Sequence, residues 1–185
     1  MTARRWACRL VVGLCLFALA ASGQLPTAAA ATVSVGDLTF IVPGTISESA
    51  STGPGHLPQS SFEGGWQWVG RTAATAPLPS TVVLARADLA TTDAGELLGL
   101  VLAGSATGRL PDLRLTSHRS RPMPGSGEQT RIGLEYSAGT GVIYHGELLI
   151  ATRPTPPAAL LVVLGNEELT AATVDSILES ARWRS

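Results

Sequence analysis

The chain contains no lysine, and its only two cysteines, Cys8 and Cys15, both lie within the first fifteen of 185 residues. Everything that follows is therefore free of disulfides and thiol chemistry, and its stability must come from packing. Charge is sparse as well. From Thr32 onward ten arginines stand against 14 acids, a net charge of −4, and nothing in that balance suggests nucleic-acid binding. The three histidines, His56, His118 and His145, are far apart in sequence and form none of the close pairs used by dedicated zinc sites, so no metal site and no cofactor is expected. No G-x-S-x-G elbow occurs after residue 31, which removes the usual presentation of a nucleophilic serine. The longest apolar run of the N-terminal region, Leu10 to Ala21, falls short of the roughly 20 residues a spanning helix requires.

That run belongs to an ordered pattern. Arg4, Arg5 and Arg9 precede it and small residues, Thr27 to Ala31, follow it, the layout of a secretory signal. Residues 1–31 are expected to be a signal peptide cut within Ala28–Ala31, with a cut after Gly23 as the alternative. Retention as an anchor is disfavoured by the length of the run. Lipidation of Cys15 is disfavoured because Leu14 is not a small residue, and twin-arginine export through Arg4 and Arg5 is disfavoured by the Trp6-Ala7 that follows. Residues 32–185 are then long enough for one buried core and too short for two ordinary domains, so a single secreted domain is expected. The absence of lysine beside plentiful Ala, Gly, Pro and Arg is the coding signature of a GC-rich genome, such as an actinobacterium's.

Hydrophobic periodicity orders this domain. Asp37–Pro43 alternates as a strand, and Pro43-Gly44 ends it. Residues 45–65 are rich in Ser, Gly, Pro and Thr without periodicity, so a long flexible loop is expected there. Strand patterns return at Trp66–Thr72 and at Thr81–Asp88, the second apolar enough to be central and covered on both faces. Asp93 opens a helix with Glu96 as its capping-box partner and Leu97, Leu98, Val101 and Leu102 on one face, and Gly104 closes it. Strands follow at Leu113–Arg121, Gln129–Ala138, Val142–Ala151 and Ala158–Leu164. A final helix begins near Asn166 or Thr170 and carries Val174, Ile177, Leu178 and Ala181 at helical spacing. The fold class read from this order is α+β, a mostly antiparallel sheet with two packed helices.

The strand Leu38–Pro43 ending in proline, the mid-chain helix, the run of antiparallel strands and the closing helix through Ser176–Ser180 resemble the PsbP-like fold group over roughly residues 33–183. That group includes the photosystem II extrinsic subunit, a Ran-binding protein and LpqN-like envelope proteins of actinobacteria. The resemblance implies a layered sandwich and a non-enzymatic binding or accessory role. The LpqN-like proteins usually carry a lipobox cysteine that this chain lacks, so no membrane anchoring carries over.

Three groups of polar or aromatic residues are candidates for binding. If Gly139-Thr140-Gly141 forms the turn of a hairpin, Glu135 faces His145, Arg131 lies diagonal to Glu147, and Ile132, Leu134, Tyr136, Tyr144, Leu148 and Ile150 share the opposite face. A histidine beside a carboxylate can serve as a general base, but the nearest hydroxyl, Ser137, sits on a strand. The stretch from Arg109 to Arg121 offers Arg109, Arg114, His118, Arg119 and Arg121 to an anionic or acidic partner; the alternative is an edge strand protected by charge. Trp66 and Trp68 share a strand face and are either a stacking platform or part of the core. The function expected is a secreted or envelope binding domain engaging an envelope protein or an anionic or apolar envelope ligand. The alternatives are a small hydrolase using His145 and a carrier of an apolar molecule.

Overall fold

A computed structural model describes residues 29–49, 65–73, 79–106, 110–124, 127–137 and 141–184. The expected signal peptide up to residue 28, His56, Arg109 and most of the segment expected to be a long loop lie outside them. In chain order the elements are β1 (Ala31–Val35), β2 (Leu38–Val42), β3 (Ile46–Glu48), β4 (Trp68–Thr72), β5 (Thr81–Leu89), α1 (Ala94–Ala106), β6 (Arg114–Met123), β7 (Gly127–Ser137), β8 (Ile143–Thr152), β9 (Ala158–Gly165), α2 (Ala171–Glu179) and β10 (Arg182–Trp183). They form a three-stranded sheet in the order β1-β2-β10 and a seven-stranded sheet in the order β3-β4-β5-β9-β8-β7-β6. Every pairing is antiparallel, so the fold is α+β.

β5 and β9 lie inside the large sheet because their side chains are apolar on both faces. All eight residues of β9 are buried. Alternation sends Ala159, Leu161 and Val163 to one core and Ala158, Leu160, Val162 and Leu164 to the other, as a period of two requires. On the first face the small sheet and Val174, Ile177 and Leu178 of α2 cover the strands. On the second, Leu97 and Val101 of α1 and Leu110 close over Ile132, Leu134, Tyr144 and Leu148. Burial pushes the Tyr144 phenol up to about 12, and its hydroxyl donates to the Pro79 carbonyl at 2.6 Å.

Local chemistry sets the ends of both helices. Asp93 Oδ1 accepts from the N–H groups of Gly95 at 2.7 Å and Glu96 at 3.4 Å, satisfying donors that a helix start leaves open. Glu96 does not reach back to the Asp93 N–H as a capping box would. Its carboxylate accepts from the Thr91 hydroxyl at 2.7 Å, and the Thr91 oxygen in turn accepts from the Asp93 N–H. α1 also continues past Gly104, and Leu102 is 37% exposed rather than on the buried stripe. α2 starts at its N-cap Thr170, whose hydroxyl oxygen accepts from the Thr173 N–H at 3.2 Å.

Three strands were not expected. β3 occupies the beginning of the segment anticipated as loop, held by pairing with β4 and by burial of Ile46. β10 is two residues long and exists through its pairing with Thr39 and Leu38 of β2. β1 precedes the first expected strand and joins β2 through Gly36 and Asp37, with Gly36 at a φ of +53°, the position that such a two-residue turn reserves for glycine.

Candidate functional site

The β7–β8 register is the one expected. Glu135 stands opposite His145 and Tyr136 opposite Tyr144, which places the apolar partners on the α1 face and turns Glu135, His145 and Glu147 toward the α2 side. Among the described residues no hydrogen bond joins Glu135 to His145. The His145 ring is instead tied to the loop before α2: Nε2 lies 3.1 Å from the Leu169 carbonyl oxygen. A carbonyl only accepts, so Nε2 carries the proton in this contact and Nδ1 is left as the acceptor of the neutral ring. Around the pair is an open recess of about 500 Å³, lined by Glu135, His145, Val142, Ile143, Asn166 and Glu167. Its loop wall is fixed, because the Asn166 side-chain oxygen accepts from the Glu168 N–H at 3.0 Å and the Asn166 N–H donates to Ser80 O at 3.1 Å. Ile143, 56% exposed, forms an apolar rim. Two carboxylates, an imidazole and an aliphatic rim suit a cationic group with an apolar neighbour. Ser137 pairs with Ile143 at the end of β7, on ordinary strand backbone rather than a strained turn.

The basic stretch on β6 divides between the two faces of the sheet. His118 pairs with Ile132 and Arg114 with Glu135, so His118 belongs to the α1 side while Arg114, Arg119 and Arg121 lie on the other. Arg119 Nη2 is 3.0 Å from Glu147 and 3.6 Å from Asp175, and Arg121 is 3.6 Å from Glu179. These two arginines are thus paired with the protein's own carboxylates and do not form a free basic patch. At the centre is Arg131, with only 2% of its side chain exposed, bonded through Nε to Glu147 at 2.6 Å and through Nη2 to Asp175 at 2.5 Å. Burial by itself would lower the pKa of its guanidinium; the hydrogen bonds to Glu147 and Asp175, and the charges of both, outweigh that and hold the group above its ordinary value. Three guanidiniums and three carboxylates clamp α2 onto β6, β7 and β8. Asp175 and Glu179 did not stand out in the sequence, although their spacing of four on a helix was the available signal.

The tryptophans do not share a face. Trp68 is buried in the α2-side core, edge-on to Phe40 with ring centroids 5.5 Å apart. It lies across Gly70, where a Cβ would come within 2.2 Å of the ring. Trp66 precedes β4 and packs against the other core. Trp68 is thus part of the core, and Trp66 is partly buried. Among the described residues no group of three or more His, Cys, Asp or Glu could hold a metal ion, and no helix is long and apolar enough to cross a membrane.

No family model and no curated protein matches the sequence. Solved structures do. The solution structure of cyanobacterial PsbP from Synechocystis is similar with a TM-score of 0.56 at 13% identity, over 89% of this chain and 98% of that one. A protein from Bacteroides thetaiotaomicron gives 0.47 at 10% identity, over 83% of this chain and 47% of that one, and a protein of unknown function from Pseudomonas aeruginosa gives 0.38 at 14%, over 78% and 85%. The likeness to PsbP extends over nearly the whole of both chains, and at this identity it speaks for architecture alone: the chain has a PsbP-like fold.

Proposed function

We infer that this is an exported, non-enzymatic binding or accessory domain of the cell envelope that engages another envelope protein through the recess at Glu135 and His145. The observation that carries the reading is the composition of that recess, in which Glu135 and Glu167 lie beside the exposed side chain of Ile143. A basic residue with an apolar neighbour, presented by a partner, would meet both. Catalysis by His145 is a poorer use of the same groups. Its Nε2 is committed to a backbone carbonyl, and the neighbouring serine lacks the strained turn and oxyanion hole that acyl transfer uses. Export is supported by the order of Arg4, Arg5 and Arg9, the apolar run and the small residues after it.

A photo-crosslinker placed at position 143 of the tagged protein, expressed in its own host, tests the reading. One protein partner is expected to crosslink, and Glu135→Arg should remove that crosslink while leaving the fold intact by circular dichroism. A crosslink only to lipid, or a partner insensitive to Glu135→Arg, contradicts it; hydrolytic activity lost with His145→Ala would favour the enzyme instead.

A further inference from the structure

A second recess lies where outer strands of the two sheets meet. It is a groove of about 640 Å³ running along the whole of β1 and past β3, with Val33, Val35, Val42, Ile46 and Trp68 among its walls. β1 is the outer strand of the small sheet and β3 the outer strand of the large one, so two strand edges border the same space.

The register shows which backbone groups of β1 are open. Val35 pairs with Leu38 across the two-residue turn and Val33 with Phe40; in such a hairpin these are the hydrogen-bonded pairs, and the positions between them are not. The far side of β2 confirms it, since the Ile41 N–H, opposite Thr32, donates away from β1 to the Ser180 hydroxyl at 2.8 Å. The N–H and C=O groups of Thr32 and Ser34 therefore point to the open edge, and no described residue takes them up. β1, Ala-Thr-Val-Ser-Val, has no charge, no proline and no bulge, none of the devices that normally keep a free edge from pairing.

We propose that this groove binds an extended peptide segment of a partner protein, which pairs with the free edge of β1 and places a basic side chain against Glu48. At about 3.3 Å per residue, the five residues of β1 accommodate a segment of about five. Among the described residues, Glu48 is the one charged residue in the groove's walls, and it has no ion-pair partner there. That selects the occupant: the β1 edge of a second copy would bring no positive charge, whereas a partner strand carrying arginine or lysine would. Main-chain hydrogen bonds would supply the affinity and alternate side chains the selectivity, as in strand addition generally. The proposal is independent of the Glu135 recess, with which it shares no residue.

The probe is a heptapeptide of alternating threonine and valine with one central arginine, titrated into the purified protein while amide exchange is followed by NMR. The expected result is saturable binding that slows exchange of the Ser34 amide. Ser34→Pro removes that outward donor without touching the β1–β2 ladder, as proline at an exposed edge allows, and should weaken binding about tenfold. Glu48→Arg should weaken it by a similar factor and reverse the preference toward the same peptide with glutamate at its centre. Absence of binding, or binding indifferent to both variants, overturns the proposal. Protection of Ser34 before any peptide is added also overturns it, and dependence of that protection on protein concentration then assigns the edge to a second copy rather than to the chain itself.

Discussion

β6 and β1 are both outer strands, and they solve the problem of an open edge in opposite ways. β6 is ten residues long, and nine of them are exposed. It carries Arg114, Arg119, Arg121 and Pro122 and breaks its register with β7 between Leu115 and Ser117. Charge, proline and a bulge each discourage a further strand from adding. Two of the arginines are also bound to carboxylates of β8 and α2, so the protecting side chains hold the helix as well. β1 has five residues, no protection and a groove beside it. The contrast teaches that the basic strand, which looks like a docking surface in the sequence, is the closed edge, while the bland strand before it is the open one.

The largest effect should come from breaking the clamp behind β6. Arg131→Leu leaves Glu147 and Asp175 without their buried cation. Removing one partner of a buried pair costs about 3 to 5 kcal/mol, and the low end is expected because half of the Asp175 side chain is exposed and rehydrates. A fall of about 3 kcal/mol in urea denaturation is the result to look for; less than 1 kcal/mol would mean that the network does not hold α2.

Prolines scanned along β1 sharpen the comparison at the other edge. Val33→Pro removes an inward hydrogen bond and a buried side chain and should cost about 2 kcal/mol, whereas Ser34→Pro should change stability by less than about 0.5 kcal/mol. Equal costs would show that the ladder faces the other way. Removing the protection of β6 should also change stability little: Arg119→Thr with Pro122→Thr is expected to cost about 1 kcal/mol or less, yet to cause concentration-dependent self-association in sedimentation velocity. A variant that stays monomeric at every concentration would show that the bulge and the remaining arginines, Arg114 and Arg121, suffice to keep the edge closed.

Much of this architecture was legible because it is written in periodicity. The β7–β8 register followed from one glycine-containing turn and the parity of the apolar residues around it, and β5 was recognisable as a central strand because its residues are apolar on both faces. The short strands were not legible: three residues of β3 and two of β10 cannot display a period, and each is held by a partner remote in sequence. Trp66 and Trp68 misled because alternation applies only inside a strand, and β4 begins at Trp68. The pairing of Glu135 with His145 was visible, but the hold of Leu169 on the imidazole depends on how the loop before α2 returns to the sheet. For the same reason the partners of Arg119 and Arg121 stayed hidden, since Asp175 and Glu179 reach them only when α2 docks.

The most direct test of the difference between the edges is an amide-exchange map of the whole chain with and without the arginine-bearing heptapeptide. The outward amide of Ser34 on β1 is expected to slow when peptide binds while the outward amides of β6 exchange at unchanged rates. Protection appearing along β6 and not at Ser34 would contradict it.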